Sequence, residues 1–269
     1  CSTTTWETQM TLRVAAVQHD IVWEKPSENF RRLSPQVEHA VGGGARLVVL
    51  SEMFSTGFTM NSAECAESLE GPSYEFLVEH STRHGIWISG SVPTRWDDQI
   101  AYNTLVLAGP DGNVLRYKKI HPFSYSKEPE NYGAGTEFLQ TEIEDVRISF
   151  FVCYDLRFAN EFWELAESTD LFVVPANWPG HRRAHWKNLL QARAIENQSY
   201  VLGVNRVGEG DGLGYLGDSS LIDPWGEIMF SAASAETVLL ADVDEQVVAN
   251  TRKSFPVLQD RRIGEIGLR

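Results

Sequence analysis

Thr104-Leu105-Val106-Leu107-Ala108 and Asn113-Val114-Leu115-Arg116-Tyr117 flank the tetrapeptide Gly109-Pro110-Asp111-Gly112. The same grammar returns at Ser219-Ser220-Leu221-Ile222, Asp223-Pro224-Trp225-Gly226 and Glu227-Ile228-Met229-Phe230. Two apolar runs joined by a turn rich in Pro and Gly read as a β-hairpin. Pro110 and Pro224 stand at the same offset from Gly112 and Gly226. A chain that writes the same hairpin twice, about a hundred residues apart, is organised as two related halves.

Upstream of each hairpin, strands and helices alternate. Residues 12–17 form a short apolar strand, and residues 28–41 place Phe30, Leu33, Val37, Ala40 and Val41 on one helical face. Pro35 weakens or kinks that helix, and Gly42-Gly43-Gly44 ends it. A strand over 46–50, a helix over 73–84 and a strand over 86–91 complete the first half. In the second half, a strand over 145–152 leads into a helix over 158–167. A strand over 170–175, a helix over 182–198 and a strand over 200–205 follow. Residues 208–217, with glycine at 208, 210, 212, 214 and 217, read as a flexible loop. The Walker lysine is missing there, so the loop is not a phosphate cradle. Two α/β halves of this kind predict two sheets packed face to face with helices outside, in one domain over 10–269. Residues 1–9 differ in composition from the rest and precede Met10; they read as a disordered extension or an expression remnant.

The bulk numbers narrow the partners. The 269 residues carry a formal charge of −14, which argues against nucleic acid or an anionic membrane as the main partner. No apolar run approaches the roughly 18–20 residues of a membrane span. The three cysteines are few and far apart, giving neither a disulfide framework nor a zinc site. No metal and no cofactor are expected, and the compartment is expected to be the reducing cytoplasm.

The candidate chemistry begins at Cys153. It follows Ile148-Ser149-Phe150-Phe151-Val152 and precedes Tyr154-Asp155-Leu156-Arg157-Phe158. A thiol at the end of a buried strand, before a polar turn and a helix N-terminus, is placed like a nucleophile favoured as thiolate. The plain alternative is a structural cysteine, the commoner role for a thiol at a strand end. Glu52 and Lys119 also fall just past the carboxyl ends of strands, the edge where layered α/β proteins build their sites. Glutamate as base, lysine as oxyanion stabiliser and cysteine as nucleophile make a coherent set. Against it, most Glu and Lys residues are merely solvated surface. A cysteine–histidine pairing with His121, His181 or His185 is the weaker reading.

Ser51-Glu52-Met53-Phe54, Tyr117-Lys118-Lys119-Ile120-His121-Pro122-Phe123 and Cys153-Tyr154-Asp155-Leu156-Arg157-Phe158 together resemble the three signature blocks of the nitrilase, or carbon–nitrogen hydrolase, superfamily. The resemblance runs from about Leu12 to Arg262 and extends to residues 191–198, 217–220 and 223–227. It implies an α/β fold, a four-layer α-β-β-α sandwich. By resemblance Glu52 is the general base, Lys119 the oxyanion-stabilising lysine and Cys153 the nucleophile. Glu128 is a second, substrate-positioning glutamate, with Glu130 as the alternative. The Tyr154 N–H completes the oxyanion hole, and His121 is a structural member of its block.

Cys-Tyr-Asp-Leu-Arg-Phe is similar to the omega-amidase branch. That likeness implies hydrolysis of the terminal amide of 2-oxoglutaramate or 2-oxosuccinamate, with release of ammonia. A small anionic amide needs a cation, and Arg157, Arg182 and Arg183 are the candidates; Phe58, Tyr125 and Trp178 are candidate pocket walls. For each, an ordinary structural ion pair or core packing is the competing role. A homodimer is expected by resemblance alone. A carbamoylase, another amidase of the superfamily, or a non-catalytic binding module of the same fold are the rival functions.

Overall fold

The computed structural model describes residues 11–262. The expectation for residues 1–9 lies outside the described residues. Strand β1 (Leu12–Gln18) leads through helix α1 (Pro26–Gly42) to β2 (Leu47–Val49). After the short α2 (Ser62–Cys65) and α3 (Pro72–His84) come β3 (Trp87–Arg95), β4 (Ala101–Ala108) and β5 (Val114–Lys118). The second half runs β6 (Leu139–Ile143), β7 (Val146–Phe150), α4 (Ala159–Leu165), β8 (Leu171–Ala176), α5 (Arg183–Asn197) and β9 (Tyr200–Asn205). It closes with β10 (Val207–Gly210), β11 (Leu213–Ile222), β12 (Ile228–Ala233), β13 (Thr237–Val243) and α6 (Glu245–Ser254).

One sheet has the order β13-β1-β2-β3-β4-β5, and the other β10-β11-β9-β8-β7-β6 with β12 paired to β11. In each, three neighbouring parallel strands (β1, β2, β3 and β7, β8, β9) are flanked by antiparallel ones. The halves therefore correspond apart from β10, which has no counterpart in the first sheet: β7 answers β1, β8 answers β2, and hairpin β11–β12 answers β4–β5. Both hairpin turns place their glycine at positive φ, +77° at Gly112 and +88° at Gly226, which explains why glycine recurs there.

Strand periodicity builds the layers. In β1, Val14 and Ala16 join a core with residues of the second sheet such as Val173 and Val204. The alternate residues Ala15 and Val17 pack instead with Leu33, Val37 and Ala40 of α1 and Phe76 and Leu77 of α3. Opposite faces of one strand thus serve two layers. Helices α4 and α5 cover the other sheet through Phe162, Leu165, Trp186 and Leu190. The result is an α-β-β-α sandwich. Helix α1 continues through Pro35, because its apolar stripe is held on the sheet on both sides of that residue. Among the described residues no helix is long and apolar enough to cross a membrane.

One local expectation needs correction. Residues 208–217 are not a loose loop: β10 and β11 pair across them, with Gly210 opposite Leu213. The turn is Asp211-Gly212, with φ of +49° and +72°, the pattern that an Asp-Gly hairpin turn prefers. The polar turn and helix predicted after Cys153 are both present. Residues Cys153–Arg157 form a 3-10 turn, and α4 begins at Ala159.

Candidate active site

Three side chains far apart in sequence meet at the carboxyl ends of the parallel strands. Lys119 Nζ donates to Glu52 Oε1 at 2.9 Å and to both oxygens of Glu128, at 3.1 and 2.9 Å. Cys153 lines one cleft with Lys119, and its thiol lies within the electrostatic reach of Glu52. Glu52, Lys119 and Glu128 are essentially fully buried, and Cys153 nearly so. Glu130, by contrast, is exposed. Lys118 points away, its ammonium 3.9 Å from the ring centres of both Trp96 and Tyr102.

Backbone geometry presents these groups. Cys153 sits at φ +47° and Met53, next to Glu52, at φ +42°. Non-glycine residues in that region are uncommon and concentrate where a structure must aim a side chain. The turn after Cys153 is tied down by Asp155. Its carboxylate accepts from the Val152 N–H at 2.9 Å, the Tyr117 hydroxyl at 2.8 Å and the His121 N–H at 2.8 Å. His121 Nδ1 lies 3.0 Å from the same carboxylate, and its ring stacks on Phe158. His121 thus links the lysine block to the cysteine block rather than facing the thiol.

Electrostatics follow from burial and neighbours. Burial, reinforced by the Glu52 charge, pushes the Cys153 thiol well above its ordinary value, and Lys119 only partly offsets this. The resting sulfur is therefore a thiol, not the preformed thiolate expected from a helix N-terminus. Burial lowers the Lys119 value, but Glu128 and Glu52 outweigh it and hold the ammonium above its usual value. Glu128 is itself held above the ordinary carboxylate range by burial, with Lys119 opposing and Glu52 adding to the rise.

Two amides missing from the sequence reading complete the cluster. Asn103 Nδ2 donates to Glu52 Oε1 at 2.8 Å and to Glu128 Oε1 at 3.2 Å. The Asn177 N–H donates to Glu52 Oε2 at 2.9 Å, and its side-chain amide donates to the Glu52 carbonyl. The signal for Asn103 was a lone amide inside the apolar strand 101–108, since a buried amide needs partners. Glu52, Asn103, Lys119 and Glu128 belong to the first sheet and its loops, Cys153 and Asn177 to the second.

A cleft opens over Cys153 and Lys119. Of the candidates, Phe58, Tyr154, Arg157, Trp178 and Arg182 line it, joined among others by Phe123, Leu213 and Tyr215. The last two come from the β10–β11 hairpin that the sequence reading took for a loose loop. Tyr215 is nearly buried, and its phenol is pushed up to about 12 by burial, with Glu52 and Cys153 contributing. Tyr125 does not wall the cleft: its side chain is 82 % exposed, beside Phe123. Arg183 is not available to a ligand, being paired with Asp218 at 3.0 and 2.8 Å.

A sandwich of two corresponding halves, with a buried acid–amine–thiol cluster in its cleft, is the architecture of a carbon–nitrogen hydrolase. The sequence profile of that family matches residues 13–253, and the chain belongs to it. It is 39 % identical over 253 residues to the omega-amidase YafV of Yersinia enterocolitica, covering 93 % of this chain and 96 % of that one. It is 34 % identical over 255 residues to the 2-oxoglutaramate amidase of Bacillus subtilis, covering 93 % and 97 %. A crystal structure of a CN-hydrolase superfamily protein from Xanthomonas campestris, with an arsenic adduct in its active site, superposes with a TM-score of 0.90 at 35 % identity. That match covers 96 % of this chain and 100 % of the other.

Proposed function

We propose that the protein hydrolyses the terminal amide of a short 2-oxo dicarboxylic monoamide, 2-oxoglutaramate or 2-oxosuccinamate, through a thioester on Cys153. The observation that carries this reading is one buried carboxylate, Glu52, that accepts from the Lys119 ammonium at 2.9 Å, with the Cys153 thiol on the same cleft. The omega-amidase and 2-oxoglutaramate amidase names of relatives spanning nearly the whole chain support the substrate.

Because the buried sulfur rests as a thiol, the base must act during attack. Glu52 takes the thiol proton as sulfur bonds to the amide carbon, and the carbonyl oxygen becomes an oxyanion. Lys119 and the Tyr154 N–H donate to that oxygen. The proton on Glu52 passes to the amide nitrogen, the C–N bond breaks, and ammonia leaves. Glu52 then takes a proton from water, whose oxygen attacks the thioester. The second oxyanion collapses to the carboxylic acid, and the proton returns to sulfur. Glu128 holds Lys119 in place and neutralises its charge between the two steps.

The test is ammonia release across 2-oxoglutaramate, N-carbamoyl amino acids and simple nitriles, beside Cys153→Ala and Lys119→Ala. Loss of an oxyanion donor lowers kcat about 100- to 1,000-fold. Turnover of 2-oxoglutaramate that survives in Cys153→Ala, or preference for a carbamoyl compound, rejects the reading. We further place the protein in the cytoplasm as a homodimer. Free Cys65 and Cys153 suit a reducing compartment. The exposed Ile195, Trp225 and Phe255, at 52 %, 55 % and 57 %, supply an apolar surface for a second copy. Light scattering of the purified protein decides the mass.

A further inference from the structure

The glycine-rich stretch 208–217 builds something that the first half of the chain lacks. Strand β10 has no counterpart in the first sheet, and its hairpin with β11 brings Leu213 and Tyr215 to the cleft that holds Cys153. The two residues alternate on one face of β11, and each stands opposite a glycine, Leu213 against Gly210 and Tyr215 against Gly208. A Cβ on Gly208 would strike the Asp20 carboxylate, and one on Gly210 would meet Arg206 Nη1 at 2.6 Å. The glycines thus leave room beneath the hairpin for the ion pair of Arg206 with Asp20, 3.0 Å apart.

Arg206 is fully buried and holds the root of the hairpin. It donates to the carbonyls of Ile21, Glu209 and Val207 at 3.1, 2.9 and 3.1 Å. Its guanidinium lies 4.5 Å from the ring centre of Tyr215. The ring is therefore fixed from behind and only 5 % exposed, while its hydroxyl is left over. Among the other buried tyrosines, Tyr102 donates to Asp98 at 2.9 Å, Tyr117 to Asp155 at 2.8 Å and Tyr132 to the Thr59 carbonyl at 2.8 Å. Tyr200 lies against the main chain of Asp244. The Tyr215 hydroxyl has no hydrogen-bond partner among the described residues and is open to the cleft. Burial, with Arg206 opposing, raises the phenol to about 12, so it enters the cleft as a neutral O–H. A donor nearly enclosed by protein yet without a protein acceptor calls for one from the ligand.

We infer that the Tyr215 hydroxyl donates to the 2-oxo oxygen of the substrate and thereby selects 2-oxo amides over the same amides without that oxygen. This inference rests on the amidase reading of the site and names the residue that reads the oxo group. In the proposed mechanism the amide oxygen is already met by Lys119 and the Tyr154 N–H. Tyr215 lies within electrostatic reach of Glu52 and Cys153, which sets it at the reacting end of the cleft. Along the substrate the oxo carbon stands between the amide and the carboxylate, so its oxygen is the next acceptor out from that end. A neutral donor also suits a neutral carbonyl, because it adds no charge to a site that already buries Glu52 and Glu128.

The test sets 2-oxosuccinamate against succinamate in wild type and in Tyr215→Phe, which keeps the ring and removes the hydroxyl. The readout is the ratio of kcat/KM for the oxo amide over the plain one. Any intrinsic difference in reactivity between the two amides cancels when the proteins are compared. Losing the hydroxyl lowers the ratio about 5- to 100-fold. Calorimetric titration with 2-oxovalerate and valerate, acids that carry no amide, repeats the comparison without turnover. Wild type binds the oxo acid more tightly, and Tyr215→Phe closes that gap. Equal loss on both amides, or a ratio that does not move, overturns the assignment. A wild type that releases ammonia but prefers the oxo compound in neither assay also overturns it, while leaving the amidase reading standing. A wild type that releases ammonia from neither amide, yet loses its tighter binding of 2-oxovalerate in Tyr215→Phe, instead sinks the amidase reading and keeps the oxo contact.

Discussion

Asn177 grips Glu52 at two points: its main-chain N–H donates to the carboxylate at 2.9 Å and its side-chain amide donates to the glutamate's own carbonyl. The two residues follow β2 and β8, strands that correspond between the halves. The proposed base is thus positioned by its counterpart in the opposite sheet. A glutamate held at both its backbone and its carboxylate presents one oxygen to Lys119 and cannot swing toward solvent. This preorganisation is what a buried base requires if it is to take a proton without first reorganising its surroundings.

Glu52→Gln separates reactivity from turnover. Removing the charge takes away one cause of the raised Cys153 value while the Lys119 charge stays, so the thiol pKa falls. Alkylation of Cys153 by iodoacetamide at neutral pH should therefore speed up. Amide hydrolysis should fall by about 100- to 10,000-fold, the usual contribution of a general base. Alkylation that slows together with hydrolysis would contradict this placement of the charge.

Asn103→Ala removes the donor shared by two buried carboxylates. The loss of hydrogen bonds to charged acceptors costs about 1.5–3 kcal/mol. It should appear as a fall of roughly 10- to 100-fold in kcat/KM. Asn103→Asp puts a third carboxylate between Glu52 and Glu128 and should be worse on the same assay.

Gly135→Ala should act at a distance through the backbone. A Cβ at Gly135 would meet the Lys118 carbonyl oxygen at 2.1 Å, and the Gly135 N–H donates to the Lys119 carbonyl at 2.8 Å. The segment must shift, taking Lys119 with it. Overpacking of this kind costs about 1–3 kcal/mol, and a displaced oxyanion donor should lower kcat by about 100-fold or more. Thermal unfolding and kcat, measured on the same preparation, show both effects.

His19 predicts a pH dependence of stability. Burial first, then the charge of Arg206, lowers its folded-state value from 6.5 to about 3. A base depressed on folding binds fewer protons in the native state than in the unfolded one. Its contribution is therefore intact above pH 6.5 and is lost as pH falls toward about 3, at about 1.4 kcal/mol per pH unit. His19→Gln, which keeps a side chain able to bond Ser51, should flatten the decline of denaturation midpoint with pH in that window. An unchanged slope would mean that other groups set it.

Much of this molecule was legible in its sequence, for identifiable reasons. The repeated hairpin disclosed two halves because glycine at positive φ leaves a compositional mark. Glu52, Lys119 and Cys153 could be singled out because each follows an apolar strand, and the structure brings them together. The β10–β11 hairpin was misread because five glycines within ten residues look like slack chain. The decisive signal was the Asp211-Gly212 pair alone. The helix predicted over 158–167 begins at Ala159, after a turn at 153–157 that Asp155 closes onto Val152 and His121. Tyr125 and Arg183 were wrongly offered to the cleft because composition cannot say which way a side chain faces, nor that Asp218 stands beside Arg183.

Cys153 and its proposed base, Glu52, never share a sheet, and this makes the proposed catalysis a gauge of interlayer registry. Sliding one layer past the other by a single residue, about 3.3 Å along a strand, would carry Cys153 out of reach of Glu52. Every ladder hydrogen bond within the two layers would survive such a slip. Chemistry in this protein is therefore more fragile than its secondary structure, and it guards an alignment that no individual strand can enforce.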